Sequence, residues 1–270
     1  NTRYAVLGFD GWLGVPAEAY TVPALLMMNV SGIASELYLW SNTEFSYVEL
    51  ADRYCGTSSI MPQKKNPYTL MWIRGAAART YGHLASYLYE MHDACMGYTR
   101  QLAPTLDDVL EATQIMTGVL ATLSLKKDRM LANATGLNWI CATDIADAIV
   151  LDKGLPFRTA HQIVAILVRL GISRGLTQAD VTSALVDEAA IEYMGKPLGL
   201  SEESLRQALT PIECIKARTL TGGPAPERVE EDIARARKQY ATDENTYAEI
   251  SQRLVASESR LEQAIDQIIG

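Results

Sequence analysis

The segment that decides the fold lies at residues 55–67 and reads Cys-Gly-Thr-Ser-Ser-Ile-Met-Pro-Gln-Lys-Lys-Asn-Pro. Asn is a favoured N-cap residue, and Pro is favoured at the first helical position because its missing N–H would have no partner there. A helix is therefore predicted to begin at Pro67, with its open backbone N–H groups and positive dipole end facing the loop. Since Lys64 and Lys65 lie just before that end, the loop is predicted to bind an anion beside its two serines.

The composition is that of a soluble globular protein. The 270 residues are 48% hydrophobic and 21% charged, enough for a large core and one or two domains. A formal charge of -8 argues against general nucleic-acid binding, which needs a basic face, so the anion site is a local exception. The sequence has no uninterrupted apolar run of membrane-spanning length and no signal peptide. We therefore expect a cytoplasmic protein that binds neither nucleic acid nor a membrane.

The cysteine pattern predicts no metal site. The four cysteines are widely separated and form no C-x-x-C pair, and three histidines are scattered among them. Reduced, buried thiols are the expected state, with neither a zinc site nor a disulfide framework. The cysteines are Cys55, Cys95, Cys141 and Cys214.

Apolar periodicity predicts an all-α fold. After an irregular entry segment at residues 1–20, apolar residues recur every three or four positions in three long segments, and no segment alternates as a strand would. Helices with such narrow apolar seams pack in a bundle at shallow angles. The segments run from Pro23 to about Asn42, from Pro67 to Gly97, and from Leu106 to Leu123.

A second, smaller helical domain is predicted after the bundle. We place the bundle at residues 1–136, with the loop at about 54–66, and the second domain at 137–270. Shorter helices are predicted to be closed by Gly154 and Gly171 or opened by a Thr177-x-x-Asp180 capping box, by Ser201 and by Thr210-Pro211. Two charged helices are predicted to follow the Gly/Pro-rich break at residues 221–226.

The loop resembles a known family signature. Ser-Ser-x-Met-Pro-x-Lys-x-Asn-Pro, from Ser58 to Pro67, is similar to the signature loop of the fumarase/aspartase superfamily, whose members are lyases. The longer context resembles the argininosuccinate lyase branch, through Phe45-x-x-Val48-Glu49-Leu50 before the loop and the run at residues 142–147 after it. The resemblance implies an all-α carbon–nitrogen lyase that releases fumarate from an N-substituted aspartate. It also implies a homotetramer with sites shared between subunits, and an N-terminal catalytic domain that this chain lacks.

The chemistry of such an elimination requires a base and fixed positive charge. Removing a proton beside a carboxylate makes a carbanion whose charge spreads onto that carboxylate. A serine is a base only where its alkoxide is stabilised, for example by amides, a cation or a helix N-terminus. The resemblance makes Ser58 the base and has Lys64 and Asn66 contact the substrate carboxylate and the loop. Neither a metal nor an organic cofactor is expected, because the substrate's own carboxylate accepts the charge.

Further positions are assigned by the same resemblance. Ser59 and Met61 would contribute loop amides and packing, and Tyr98 and Arg100 resemble substrate-contacting positions of argininosuccinate lyases. Two positions depart from the family pattern near the loop. Thr57 stands where the family usually has Gly, and Met71 stands where many relatives have a Glu that pairs with a catalytic His.

Two further departures concern the substrate. Ala103 and Leu106 replace a Gln and a Lys of the argininosuccinate lyase pattern, so we expect argininosuccinate not to be the best substrate. A lyase of aminopolycarboxylates, similar to ethylenediamine-disuccinate lyase, is an alternative in the same class. A catalytically inactive, crystallin-like structural protein is the alternative from another class.

Overall fold

The computed structural model describes residues 8–93, 100–135 and 139–269. The chain divides into two compact units, unit 1 at Asn1–Leu131 and unit 2 at Ala132–Gly270. Helices dominate both units, so the predicted all-α fold, a long-helix bundle followed by a helical C-terminal domain, is confirmed. The division lies a few residues before the predicted boundary near residue 136, and that boundary remains a prediction.

Three long helices form the bundle of unit 1. They are α1 at Gly8–Trp40, α2 at Tyr68–Asp93 and α3 at Leu102–Thr122, and each packs against the other two. Residues three and four apart on each helix point to the same side, so each helix contributes one face to a shared core. The prediction of the buried positions was partly wrong, because Val22, Leu26 and Ile33 on α1 and Tyr81 and Leu88 on α2 are 43–69% exposed. Its fully buried members include Ala34, Leu70, Ile73, Ala76 and Ala112.

The first helix is longer than predicted. It begins at Gly8 and runs through Pro16 and Pro23, so the prediction of an irregular entry up to residue 20 was wrong. Tyr20 lies upstream of Pro23, is fully buried, and stacks on Tyr87 of α2 with ring centroids 4.9 Å apart. This tertiary packing offsets the hydrogen bonds that two internal prolines remove from the helix.

Four two-residue strands fasten the loops of unit 1, although the sequence predicted none. β1 (Val48–Glu49) pairs antiparallel with β4 (Ser124–Leu125), and β2 (Gly56–Thr57) pairs antiparallel with β3 (Lys65–Asn66). Two residues are too few to show the alternation by which a strand is recognised in sequence.

Among the described residues from 139 onward, unit 2 contains five shorter helices and one long one, and the short helix at Lys127–Thr135 begins in unit 1 and ends in unit 2. The core gathers around α6, which packs against α5 and α7, and α8 packs against α5 and α9. A 3₁₀ turn at Gln178–Asp180 and the short α4 complete the described elements from residue 126 onward. The helices are α4 (Lys127–Thr135), α5 (Ala142–Lys153), α6 (Phe157–Ser173), α7 (Ser183–Met194), α8 (Glu202–Leu209), α9 (Pro211–Lys216) and α10 (Pro226–Ile269).

Most predicted helix boundaries of unit 2 are confirmed. Gly154 closes α5 with φ +64°, and the Ser201 hydroxyl accepts the Ser204 N–H at the start of α8. The Thr177–Asp180 capping box is present, but it opens the 3₁₀ turn rather than a long helix. Gly171 does not end α6 as predicted, because the helix continues to Ser173.

Gly171 instead provides room for a neighbouring ring. It is buried within α6, and a Cβ atom there would lie 2.3 Å from Cζ2 of Trp139. Any larger residue would therefore collide with the indole. The glycine serves packing rather than helix termination.

The C-terminal segment is a single helix where two were predicted. α10 has 44 residues, a length of about 66 Å at 1.5 Å per residue. None of its described side chains is buried. Apolar residues nevertheless recur along it every three to seven positions, at Val229, Ile233, Tyr240, Tyr247, Ile250, Leu254, Leu261, Ile265 and Ile268.

Candidate functional site

A two-stranded ladder closes the base of the signature loop. Gly56 pairs with Asn66 and Thr57 pairs with Lys65, and these two strands form the stem of the loop. Residues 58–64 connect the two strands. Asn66 is held in this ladder and does not cap the helix. α2 begins one residue later than predicted, with the Pro67 carbonyl accepting the Leu70 N–H at 3.2 Å.

The stem is attached to the bundle at Tyr54. Its carbonyl accepts a hydrogen bond from Oγ1 of Thr69 on α2 at 2.8 Å. Its phenol lies over Gly118 of α3, where a Cβ atom would be 1.8 Å from the tyrosine oxygen. The loop therefore depends on a glycine about sixty residues further along the chain.

Ser58 has its hydroxyl oxygen aimed at two backbone amides. The Ser58 Oγ accepts hydrogen bonds from the N–H of Ile60 at 3.3 Å and from the N–H of Met61 at 3.1 Å. Hydrogen bonds donated to an oxygen favour its charged form. The geometry is thus suited to stabilising negative charge on Ser58.

The two loop lysines have different surroundings. The Lys65 ammonium forms ion pairs with Asp52 at 2.6 Å and with Glu49 at 3.0 Å. These hydrogen bonds raise the pKa of Lys65 above its ordinary value, that of Asp52 contributing most. Hydrogen bonds from Lys65 and then Lys126 lower the pKa of the Glu49 carboxyl. Two carboxylates therefore neutralise Lys65 and Lys126.

Lys64 has none of these partners among the residues that the structure describes. Within residues 8–93, 100–135 and 139–269, no carboxylate forms an ion pair with it. It lines a cavity of about 740 Å³ together with Met61 and Asn66. Among the described residues, the cavity therefore offers an anionic ligand the Lys64 ammonium, which pairs with none of their carboxylates, and the side-chain amide of Asn66.

The structure brings together some of the predicted site residues and separates others. Met61, Lys64 and Asn66 line the cavity, whereas Ser58 and the exposed Ser59 are outside its lining. Arg100 lies in the turn just before α3. Tyr98 lies outside the described residues.

Three charged residues of this site were not predicted from sequence: Glu49, Asp52 and Lys126. Glu49 stands in the run that carries the family resemblance, but nothing in that run shows that its carboxylate reaches Lys65. Lys126 comes 61 positions after Lys65 and reaches Glu49 because β4 pairs with β1. Only the tertiary pairing could have indicated it.

Family models match both units. Residues 15–82 match the model described as Lyase, and residues 139–216 match the model described as Argininosuccinate lyase C-terminal. The argininosuccinate lyase of Methanosphaera stadtmanae is 38% identical over 80% of this chain and 48% of its own length. That of Methanococcoides burtonii is 37% identical over 93% of this chain and 53% of its own length.

Solved structures agree with these matches. A crystal structure of EDDS lyase in complex with formate has a TM-score of 0.87 and 34% identity, over 97% of this chain and 54% of that chain. An EDDS lyase variant with bound fumarate gives the same values. The chain spans about half the length of the curated relatives it matches. It belongs to the argininosuccinate lyase branch of the fumarase/aspartase superfamily.

Proposed function

We propose that the full-length protein is a carbon–nitrogen lyase that eliminates an amine from an N-substituted aspartate and releases fumarate. The observation that carries this proposal is the pair of hydrogen bonds that the backbone N–H groups of Ile60 and Met61 donate to the Ser58 hydroxyl oxygen. A serine with that environment in this family's signature loop is suited to act as the base. The similarity to argininosuccinate lyases and to EDDS lyase supports the reaction class.

The proposed reaction divides its tasks among three loop residues. The Ser58 oxygen, as alkoxide, takes the proton from the carbon next to a substrate carboxylate. Lys64 stabilises the dianion that develops on that carboxylate, because its charge is not already neutralised. Asn66 donates its side-chain N–H to the same group. The electron pair of the dianion then forms the C=C bond of fumarate as the C–N bond breaks, and the nitrogen, bound in its protonated ammonium form, leaves as the neutral amine.

The amine half of the substrate is proposed to differ from the arginine part of argininosuccinate. Ala103 and Leu106, both on α3, are apolar where the family pattern has Gln and Lys. Each lost hydrogen bond to a charged group costs about 1.5–3 kcal/mol. The succinyl half keeps Ser58, Lys64 and Asn66, so a different N-substituted aspartate is the expected substrate.

Fumarate release by the full-length protein tests this proposal. Purified protein is assayed against argininosuccinate, ethylenediamine-disuccinate and further N-substituted aspartates. Ser58→Ala is expected to lower kcat by a factor on the order of 10²–10⁴, because it removes only the base. Ser173→Ala, a serine on α6 whose hydroxyl donates to the Leu170 carbonyl, is the matched control.

Each outcome of this assay is decisive. Fumarate release that requires Ser58 supports the proposal, and near-normal turnover by Ser58→Ala overturns the assignment of the base. A folded wild-type protein that releases no fumarate from any of these compounds supports the structural-protein alternative. A clear preference for argininosuccinate contradicts the expected change in the amine half.

We also propose that the protein assembles as a homotetramer with sites shared between subunits. α1 leaves a row of large apolar side chains exposed on the side away from its buried seam: Val22, Leu25, Leu26, Met28, Ile33 and Leu39, 43–65% exposed. Within Pro16–Trp40, an 18-residue window has a mean hydropathy of 1.3, so this helix is long and apolar enough to cross a membrane by length and composition. Its other face is part of the core of unit 1, which favours a protein partner for the exposed face.

Sedimentation of the full-length protein tests the assembly. A tetramer is expected at micromolar concentration. Leu25→Glu places a charge on the exposed face of α1 and is expected to lower the mass, whereas Gln162→Glu adds the same charge to an exposed position of α6 and leaves it unchanged. A monomeric wild-type protein would refute this proposal without affecting the assignment of Ser58 as the base.

A further inference from the structure

Unit 2 places two thiols and a carboxylate side by side. Sγ of Cys141, a carboxylate oxygen of Asp144 and Sγ of Cys214 all lie within 4.8 Å of one another. Both cysteines are buried and the aspartate is partly buried. We propose that this thiol–carboxylate cluster binds a zinc ion.

The local structure explains why the three groups meet. Cys141 directly precedes α5 and Asp144 lies in its first turn, so a spacing of three residues puts both on one face. Cys214 lies on α9, which packs against α8, and α8 packs against α5. Two contacts between helices therefore bring residue 214 to residues 141 and 144.

The distances suit a tetrahedral ion with little movement. Zinc bonds of about 2.3 Å to sulfur and about 2.1 Å to oxygen place neighbouring ligand atoms roughly 3.5–3.8 Å apart. The three ligand atoms of the cluster lie within 4.8 Å of one another. Side-chain rotations that move the ligand atoms by about one ångström then suffice to reach the zinc geometry. Thiolate ligands select zinc over magnesium or calcium.

The charges around the cluster balance a divalent ion. Two thiolates and one carboxylate carry three negative charges, and the Arg218 guanidinium, 2.8 Å from Asp144, supplies one positive charge. Zn²⁺ brings the total to zero. Binding replaces the two thiol protons, which pass to solvent, and no oxidant or reductant is needed.

Outer contacts already orient the ligands. Arg218 donates to the Asp144 carboxylate and also to the Cys214 carbonyl at 2.6 Å. The side chain of Gln178, itself 2% exposed, has its amide nitrogen 3.6 Å from the Cys141 sulfur and its amide oxygen accepting the Cys141 N–H. Such outer hydrogen bonds fix the orientation of metal ligands in proteins.

The cluster also has an open side. Asp144 and Cys214 line a cavity of about 850 Å³. A water molecule or a ligand from that cavity can complete the tetrahedron and gives the ion an entry path. The Cys214 thiol donates to the Ala208 carbonyl at 3.3 Å, and a bond from the thiolate to zinc would replace this hydrogen bond.

Metal titration of the reduced protein tests the proposal. The protein is freed of metal, kept with a phosphine reductant, and titrated with Co²⁺ and Zn²⁺. We expect one equivalent of Co²⁺ to give the thiolate charge-transfer and tetrahedral d–d bands, Zn²⁺ to displace it, and Zn²⁺ to raise the Tm. Cys214→Ser and Asp144→Asn are expected to weaken binding at least about tenfold, and Cys55→Ala, a cysteine of unit 1, to leave it unchanged.

Several results would overturn the inference. One is the absence of cobalt–thiolate bands in the wild-type protein, and another is bands that persist in both Cys141→Ser and Cys214→Ser. A Cys141–Cys214 disulfide in the freshly reduced protein, seen by mass spectrometry, would also exclude the site. A variant whose Tm without metal equals that of the wild type shows that lost binding does not reflect unfolding. None of these readouts depends on lyase activity.

Discussion

In unit 1 the candidate site is carried by one uninterrupted run, residues 55–67, whereas in unit 2 the thiol–carboxylate cluster joins residues 141, 144 and 214. The loop has a spacing that can be recognised in the sequence, and its chemistry follows from neighbouring residues. The cluster has no such spacing and exists only because α9 packs next to α5 through α8. A site whose residues are neighbours in the sequence can therefore be predicted from sequence, whereas a site whose residues come together only through helix packing cannot.

The loop itself nevertheless depends on distant residues. Glu49 and Asp52 pair with Lys65, whereas no carboxylate of the described residues pairs with Lys64. Lys126 shares the Glu49 carboxylate, and Gly118 makes room for Tyr54. Two adjacent lysines that look equivalent in the sequence therefore differ in the folded protein. The predictions below test how far each region depends on its distant partners.

The largest effect on lyase activity is expected when the two loop lysines are substituted one at a time. In the full-length protein, Lys64→Met should lower kcat/KM for fumarate release by about 10²–10³-fold, since it removes a cation aimed at developing charge. Lys65→Met should lower it only a few-fold, because it removes two exposed ion pairs that are screened by solvent. Steady-state kinetics of both variants measure the difference, and equal losses would contradict the distinction between them.

Two glycines test the packing that supports each region. Gly118→Ala in unit 1 and Gly171→Ala in unit 2 should each lower the free energy of unfolding by about 1–3 kcal/mol, because Tyr54 or Trp139 must move. Gly82→Ala on α2 is the control, since nothing lies within 4 Å of its added Cβ, and it should stabilise by about 0.4–1 kcal/mol. Urea denaturation measures all three. Similar values for all three would show that the two rings adjust freely.

A helix cap tests the local, sequence-encoded part of unit 2. Ser201→Ala should destabilise α8 by about 1 kcal/mol, because the Ser204 N–H loses its acceptor. Ser201→Asp restores an acceptor and should recover most of the loss. Thermal unfolding compares the variants, and an alanine variant as stable as wild type would show that the cap contributes nothing.

The smallest effect concerns the Glu49 carboxyl. Its folded pKa is lowered by hydrogen bonds from Lys65 and then Lys126, so its ionised form stabilises the fold above the unfolded pKa, and this contribution is lost as the pH falls through the folded pKa. Because the side chain is 44% exposed, screening keeps the contribution below about 1 kcal/mol. Glu49→Gln should therefore be slightly less stable than wild type at neutral pH and equally stable in acid. A stability difference between Glu49→Gln and wild type that grows as the pH falls would contradict this prediction.

Much of the fold could be predicted because it follows from local periodicity. The spacing of Leu70, Ile73 and Ala77 indicated α2, and Gly154 and Ser201 indicated helix ends in unit 2. Two of the errors, at the start of α1 and at Gly171, share one cause, which is tertiary packing. Packing of Tyr20 on Tyr87 accompanies a helix that continues through Pro23, and the indole of Trp139 accounts for Gly171 within α6.

The sequence by itself determined the all-α class, the signature loop with Ser58, Lys64 and Asn66 as its candidate residues, and the family to which the chain belongs. These features depend on residues close together in the chain, where helix period, caps and motif spacing act directly. Only the tertiary structure decided that Lys65 pairs with Asp52 and Glu49, that Lys126 reaches the same Glu49 carboxylate, and that two buried thiols meet one carboxylate. Hydrogen bonds and ion pairs act over a few ångströms of space, and only the packing of helices decides which distant residues come that close.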